Sequence, residues 1–485
     1  MKTKSITVNT ALNTVRMSLT ILIPLITYPY ITRIFGAEGI GQYEWVKSVV
    51  SIFTLIASMG ITTYAIREGS KIRDNRKKFS QFAQELLILN MCSTIICYII
   101  LLALILSVPK FSMYKLYLVI YSVNIGLSAL SLDWVYGVYE DYLYITARQI
   151  IVQIISVCGL FLFVRDENDL VVYIVITTIS NSGANIFNFL RSRMYIDFKV
   201  LKHYNLAIHL APVIVFFGTR FAMNAYNSLD TFILGMLTTD RAVGYYNVAV
   251  KMNTILVTFF SAMSPVYLPR MMKYVSTHDQ LHYDNLLEKA IKLKAILIYP
   301  MIGGLFFFAP QIVWVIAGEE FSNAVLTLRI LCFVLGFVIL SSIVQKDIMI
   351  PKGKEKSVLV LTVFAAFVNV ILSIVLIMNL DYNGAAWGSL IAECLTFLIG
   401  AFLVKRSGIN LFRIIPRCSY KYFISTLIMS IACYMATQVL EKDELIILVG
   451  IPIAVIIYFA SLIILKDSFL ISTIKMILSK LHIIQ

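Results

Sequence analysis

The chain has 485 residues, of which 59% are hydrophobic and only 14% charged, and its mean hydropathy is +0.84. About a quarter of the residues of a soluble protein are charged, so this composition excludes a soluble globular fold and points to a polytopic membrane protein. The net charge of +14 does not indicate nucleic-acid binding in such a chain, because the cytoplasmic loops of membrane proteins accumulate Lys and Arg.

A helix that crosses a bilayer needs ~20 apolar residues. The sequence predicts fourteen such helices, at 8–33, 42–65, 80–107, 116–137, 147–164, 170–190, 209–236, 245–268, 291–316, 324–345, 357–378, 385–404, 419–440 and 445–465. The first is too long for a signal-peptide core and no small-residue cleavage site follows it, so it is expected to remain as a transmembrane helix. All connections are short, and an even number of spans puts both termini on one side. Thirty Lys and Arg then fall on the side of the termini, densest in 67–78, 191–202, 270–294, 346–356 and 405–421. Only Lys110, Lys115, Arg165, Arg241 and Lys442 fall on the other side. This asymmetry predicts N- and C-termini in the cytoplasm. The opposite turns are acidic, as in Asp166-Glu167-Asn168-Asp169, or glycine-rich, as in Gly36, Gly39 and Gly41. The tail from Phe469 to Gln485 is expected to form an amphipathic helix on the inner surface.

The histidines at 203, 209, 278, 282 and 482 form no zincin signature, and the seven cysteines contain no CxxC. No metal site and no disulfide framework are expected. Lys352-Gly353-Lys354-Glu355-Lys356 lacks the GxxxxGK[ST] spacing of a phosphate-binding loop, so no nucleotide cofactor is expected either.

The informative residues are charges inside apolar segments, each costing at least ~2.5 kcal/mol at the centre of a bilayer helix. Arg16 precedes Gly41 by 25 residues and Lys47 follows it by 6; Arg220 precedes Gly244 by 24 and Lys251 follows it by 7. The flanks agree, Gly39-Ile40-Gly41-Gln42-Tyr43 against Ala242-Val243-Gly244-Tyr245-Tyr246. Two copies of one charged helix pair read as an internal repeat that brings cations toward one cavity. The competing reading for Lys47 and Lys251 is snorkelling to the headgroups. Arg33 reads as an interfacial anchor, and Arg329 as either. Among the acids Glu44, Asp133, Asp230 and Glu393, a buried carboxylate is either a proton site or the partner of a cation. Asp230, Glu393 and Asp133 are the ion-coupling candidates.

The charged hairpins and their flanks resemble the polysaccharide-lipid flippases for O-antigen and capsule repeat units, within the multidrug/oligosaccharidyl-lipid/polysaccharide exporter superfamily. The resembling stretches are Phe35-Gly36-Ala37-Glu38-Gly39-Ile40-Gly41-Gln42-Tyr43, Leu132-Asp133-Trp134-Val135-Tyr136-Gly137 and Leu229-Asp230-Thr231-Phe232-Ile233-Leu234-Gly235. Val243-Gly244-Tyr245-Tyr246-Asn247-Val248-Ala249-Val250-Lys251, Ala317-Gly318-Glu319-Glu320-Phe321-Ser322 and Asn383-Gly384-Ala385-Ala386-Trp387-Gly388 complete the set. The resemblance implies an all-α fold of two six-helix lobes with pseudo-twofold symmetry, 1–205 and 206–404, followed by two additional helices and a cytoplasmic tail in 405–485. It also implies alternating access in a bacterial cytoplasmic membrane and an undecaprenyl-diphosphate-linked oligosaccharide as substrate. Membrane lipids, H+ or Na+ and other polysaccharide assembly proteins are the expected partners, and nucleic acid is not. Arg16, Lys47, Arg220 and Lys251 are then expected to line the cavity for the diphosphate. A multidrug cation exporter of the same superfamily would favour an acidic cavity. A membrane polymerase would need a sizeable outer loop, and every outer loop here is short.

Overall fold

The computed structural model describes residues 6–199, 203–406, 408–439 and 443–480. The described residues form helices and turns, with no strand among them, as the apolar runs predict. They divide into two compact units, Met1–Gly244 and Tyr245–Gln485.

The first unit begins with α1 (Ile6–Ser58). Its 53 residues would extend roughly 80 Å at ~1.5 Å per residue, more than twice a ~30 Å hydrocarbon core. The element therefore holds two spans, and the chain turns between them at Gly36, whose φ of 59° and ψ of −171° are open to glycine. A second break at Met59 and Gly60, both with positive φ, separates α1 from α2 (Ile61–Ile72). Next comes α3 (Arg76–Ser107), capped by the Asn75 side chain, which accepts from the Lys78 N–H at 3.1 Å. Then follow α4 (Pro109–Met113), α5 (Lys115–Ala129), α6 (Asp133–Val138) and α7 (Tyr142–Phe163). In the acidic turn 166–169 Asp166 and Asp169 form a capping box on the 3-10 turn Glu167–Asp169, which leads into α8 (Leu170–Thr178). A π-helical segment, Ile179–Gly183, leads into α9 (Ala184–Ser192), and α10 (Ala207–Leu237) closes the unit.

The chain enters the second unit along α11 (Asp240–Ser261) and continues through α12 (Ser264–Ser276), α13 (Gln280–Phe307) and α14 (Ala309–Ala317). Next are α15 (Ala324–Ser342), a π-helical stretch at Ile343–Met349, α16 (Glu355–Leu380) and α17 (Tyr382–Lys405). Last are α18 (Leu411–Val439), α19 (Asp443–Leu445), a π-helical Ile446–Gly450, α20 (Ile451–Ile464) and α21 (Ser468–Lys480). Helix α21 occupies the place of the predicted tail helix. Helix α13 starts eleven residues before the expected 291 and ends at Phe307 rather than 316, so Lys294 lies inside a helix and not at the edge of a basic loop.

Eleven helices among the described residues are long and apolar enough to cross a membrane, or twelve if the bent pair Asp240–Ser261 and Val266–Ser276 counts as one span. One of the eleven, Leu22–Ile72, contains the Gly36 turn and so holds two spans, and α10 is not among the eleven; together with the bent pair these helices are consistent with fourteen. Leu106, Met378 and Ile464 are 78%, 75% and 78% exposed. Such a coat is a liability in water and is what a helix presents to lipid.

Candidate functional site

Both copies of the sequence repeat meet at the predicted outer turns of the first unit. A Cβ added to Gly41 would lie 1.7 Å from the Asp240 carbonyl oxygen, and one added to Gly244 would lie 2.0 Å from the Ala37 carbonyl oxygen. Ala37 is four residues before Gly41, and Asp240 is four before Gly244. Each glycine thus sits on the carbonyl four residues before the other glycine, the reciprocity of a twofold contact. Gly235 packs as tightly, with an added Cβ 1.9 Å from Trp45 Cδ1. Charge reinforces this closure. Lys110 Nζ lies 3.5 Å from Asp240 Oδ1 and 5.5 Å from the centre of the Trp45 ring, and Tyr114 donates to the Asp240 carboxylate. At the exposed rim Arg241 Nε reaches Glu38 Oε2 at 3.3 Å.

Two of the candidate residues are partners of each other. Lys47 Nζ donates to Glu44 Oε1 and Oε2 at 3.0 and 2.8 Å, one turn apart on α1. Tyr43 flanks the pair, with its ring centre 5.6 Å from Lys47 Nζ, and packs on Tyr121 and Tyr173 at 6.0 and 4.7 Å. Asn181 donates to the Tyr121 hydroxyl at 3.1 Å. Lys47 is half-buried, its side chain 35% exposed, so the ammonium is neutralised by a neighbour yet open on one side. Arg16 and Arg220 lie on α1 and α10, with side chains outside the described residues. Lys251 is half-buried on α11.

The three ion-coupling candidates occupy different settings. Asp230 is 5% exposed on α10. Glu393 is half-buried on α17, in the second unit. Asp133 opens α6, where Arg148 Nη2 at 3.2 Å and the Asn188 amide hold its Oδ1. Arg148 is the more buried partner, its side chain 9% exposed against 45% for Asp133.

Sequence patterning missed two buried polar clusters. In the first unit, His209 of α10 stands between Glu85 of α3 and Tyr64 of α2, with Nε2 2.8 Å from Glu85 Oε2 and Nδ1 2.8 Å from the Tyr64 hydroxyl. In the second unit, Lys294 Nζ lies 2.6 Å from Asp347 Oδ2, with side chains 1% and 0% exposed. Ser264 Oγ is 3.3 Å from the ammonium, and the Tyr267 hydroxyl donates to Asp347 Oδ2 at 3.5 Å. One signal was present in the sequence: Tyr64 and Tyr267 are 203 residues apart, the same offset as Gly41 and Gly244. A cavity of about 180 Å³ beside Lys294 is lined by Ile298, Tyr299, Phe333, Phe337, Ile415 and Ser419. A wholly apolar one of about 310 Å³ lies among α13, α18 and α20, next to Met301, Met429, Ala454, Tyr458 and Phe459.

At the predicted inner loops, Asp279 caps α13 by accepting from the His282 N–H at 3.2 Å. Hydrogen bonds from the His282 side chain and backbone hold its carboxyl below the usual value. Burial pushes the Lys352 ammonium below its usual value, Asp284 opposes this, and Lys354 adds to it. Among the described residues no group of three or more His, Cys, Asp or Glu could hold a metal ion.

Comparison with known proteins bears on this arrangement. A protein of Shigella dysenteriae named for O-antigen transport is 23% identical over 387 residues, covering 79% of this chain and 95% of its own length. A protein of Escherichia coli K12 with the same name is 20% identical over 393 residues, covering 80% and 93%. The solved structure of the lipid II flippase MurJ in an inward closed conformation shares the fold, with a TM-score of 0.74 at 16% identity over 95% of this chain and 99% of that one. The family model described as polysaccharide biosynthesis protein matches residues 6–275, more than half of the chain, and the chain belongs to that family.

Proposed function

We propose that this protein is a flippase that carries undecaprenyl-diphosphate-linked oligosaccharide repeat units from the cytoplasmic to the outer leaflet of a bacterial cytoplasmic membrane. The observation that carries this reading is the alignment with proteins named for O-antigen transport over 79% of this chain and 95% of theirs. The match takes in 95% of the relative's length, so this chain holds nearly all of a protein named for transport, and transport is the task we assign to it. Two six-helix lobes, 1–205 and 206–404, would rock about the substrate, with both termini in the cytoplasm. The reciprocal glycine contact fits a state closed at the outer turns.

A diphosphate needs cations. Arg16 and Arg220 can grip its oxygens with a two-pronged fork, and Lys47 and Lys251 add point charges. Lys47 must give up Glu44 to do so, which suits a ligand that is bound and then released. The apolar cavity among α13, α18 and α20 is suited to a polyprenyl tail. With no nucleotide motif, drive falls to an ion gradient, with Asp230, Glu393 and Asp133 as coupling groups, or to removal of product by downstream assembly proteins.

The test is deletion of the gene followed by chemical localisation of lipid-linked repeat units. Accumulation on the cytoplasmic face is expected, together with loss of the surface polysaccharide. Arg16→Lys and Arg220→Lys should fail to restore export at normal abundance, because a point charge does not replace the fork. Normal distribution of repeat units in the deletion strain overturns the reading.

A further inference from the structure

Transport of a diphosphate leaves one buried cluster of the first unit without a task. Glu85 and His209 have side chains 4% and 5% exposed, and Tyr64 is 6% exposed. The chain of contacts is continuous, from the Tyr64 hydroxyl to His209 Nδ1 at 2.8 Å and from His209 Nε2 to Glu85 Oε2 at 2.8 Å. The second carboxylate oxygen, Oε1, accepts from the Asn205 N–H at 2.9 Å and from Gln81 Nε2 at 3.0 Å. Phe82 packs edge-on to the imidazole at 5.4 Å, and Trp134 and Val213 belong to the same apolar cluster. The charged groups that face the triad are already paired. Arg67 and Glu68 of α2 lie 2.8 Å from each other, and Asp197, before α10, lies 2.8 Å from Arg76 of α3.

This geometry accepts a proton without breaking a hydrogen bond. With a neutral imidazole, Nε2–H donates to Glu85 and Nδ1 accepts from the tyrosine. With a second proton on the ring, Nδ1–H donates to the tyrosine oxygen and the Nε2 bond to the carboxylate remains. The net charge of the cluster goes from minus one to zero. A buried net charge is costly, so the proton is bound by relief of that charge, with the Tyr64 hydroxyl reversing its hydrogen bond from donor to acceptor.

We propose that Tyr64, Glu85 and His209 form a proton-binding site that couples a proton gradient to transport; this rests on the flippase reading above. The route from site to movement is α10. The Asn205 N–H that binds Glu85 belongs to the segment entering α10, and His209 lies on its first turn. Pro212 follows three residues later inside the helix, where a missing N–H allows a bend. From there α10 runs to Leu237, ~45 Å in all at ~1.5 Å per residue, and reaches Gly235 against Trp45. A change of charge at the inner end is thereby delivered by one helix to the outer closure.

Two measurements test the site. In lipid nanodiscs the ¹⁵N imidazole signal of His209, assigned among the five histidines by its loss in His209→Gln, should titrate with a single midpoint. Glu85→Gln should lower the proton affinity at least tenfold, and Tyr64→Phe should lower it less. In proteoliposomes a fluorescent polyprenyl-diphosphate N-acetylglucosamine should flip faster under a pH gradient. The ratio of rates with and without the gradient should fall to one in Glu85→Gln and in His209→Gln. The site is overturned if His209 does not titrate between about pH 4 and 9, the range that brackets carboxylate and imidazole protonation. It is equally overturned if both variants keep the wild-type ratio, or if Glu85→Gln and Tyr64→Phe leave the midpoint in place. Should wild-type protein fail to move the probe under either condition, the flippase reading falls, and the titration alone then decides whether the proton site stands.

Discussion

Replacing Gly244 with alanine should prevent the outer turns from closing. The added methyl would sit 2.0 Å from the Ala37 carbonyl oxygen, whereas real Cβ atoms essentially never come within 3.0 Å of such an atom. The contact is with backbone, so no rotamer relieves it, and the two segments must part by about 1 Å. Overpacking of this kind costs about 1–3 kcal/mol. The cost falls only on the closed state, because in an opened one the two backbones are no longer in contact. A bias of about 1–3 kcal/mol changes the ratio of two states by roughly 5–150-fold. Gly41→Ala meets the Asp240 carbonyl oxygen at 1.7 Å and should act in the same direction at least as strongly. The assay uses the rim pair Glu38 and Arg241, whose charged ends are 3.3 Å apart. With Glu38→Cys and Arg241→Cys in place, a short bismaleimide should crosslink the parent quickly and the glycine variants at least fivefold more slowly. Ala37→Gly should not rescue Gly244→Ala, since the clash is with a carbonyl and not with a side chain. Equal crosslinking rates in parent and variants, at equal abundance, would refute the glycine closure.

Three further outcomes are expected. Lys294→Met should destabilise the protein by about 3–5 kcal/mol by stranding a buried carboxylate, while Lys294→Met combined with Asp347→Leu should recover most of that loss; thermal unfolding in detergent reads both. Reporter fusions at Glu319 should face outward and fusions at Lys354 inward, and one reversed sign would reject the topology. Asp279, whose carboxyl is held below its usual value, contributes stability that is present above the ordinary Asp pKa and lost as pH falls through the depressed one. The hydrogen-exchange protection factors of the first turn of α13, taken relative to the intrinsic rate at each pH, should therefore fall on acidification in the parent and much less in Asp279→Asn.

The spans were legible because a bilayer demands long apolar runs, and the glycine repeat was legible because both copies keep their flanks. Helix breaks without a glycine were not. Leu132 takes a φ of 40° between α5 and α6, in an apolar stretch with no glycine or proline beside it. The sequence leaves Glu44 open as a proton site or the partner of a cation, and its i, i+3 spacing from Lys47 on a helix is the signal that names the partner. Lys294 was hidden by its surroundings, since the other four cations between 270 and 294 make that stretch resemble a surface loop. Its partner Asp347 lies 53 residues away, in the π-helical stretch that follows α15, so only the fold reveals the pair.

The two buried clusters also differ in what a proton can do to them. Each places a tyrosine at the same offset in the repeat, Tyr64 beside His209 and Tyr267 beside Asp347. In the second unit the ammonium of Lys294 and the carboxylate of Asp347 already cancel at 2.6 Å. Protonating Asp347 would leave a buried cation alone, and deprotonating Lys294 would leave a buried anion alone, so neither step is favoured. In the first unit the acid is paired with an imidazole, which titrates near neutrality when unperturbed and has a hydrogen-bond partner on each nitrogen. The tyrosine keeps its offset, but the acid and the base of the two clusters stand on elements that do not correspond in the repeat, and an imidazole rather than an ammonium beside the acid separates a cluster that can bind and release a proton from one that holds helices together.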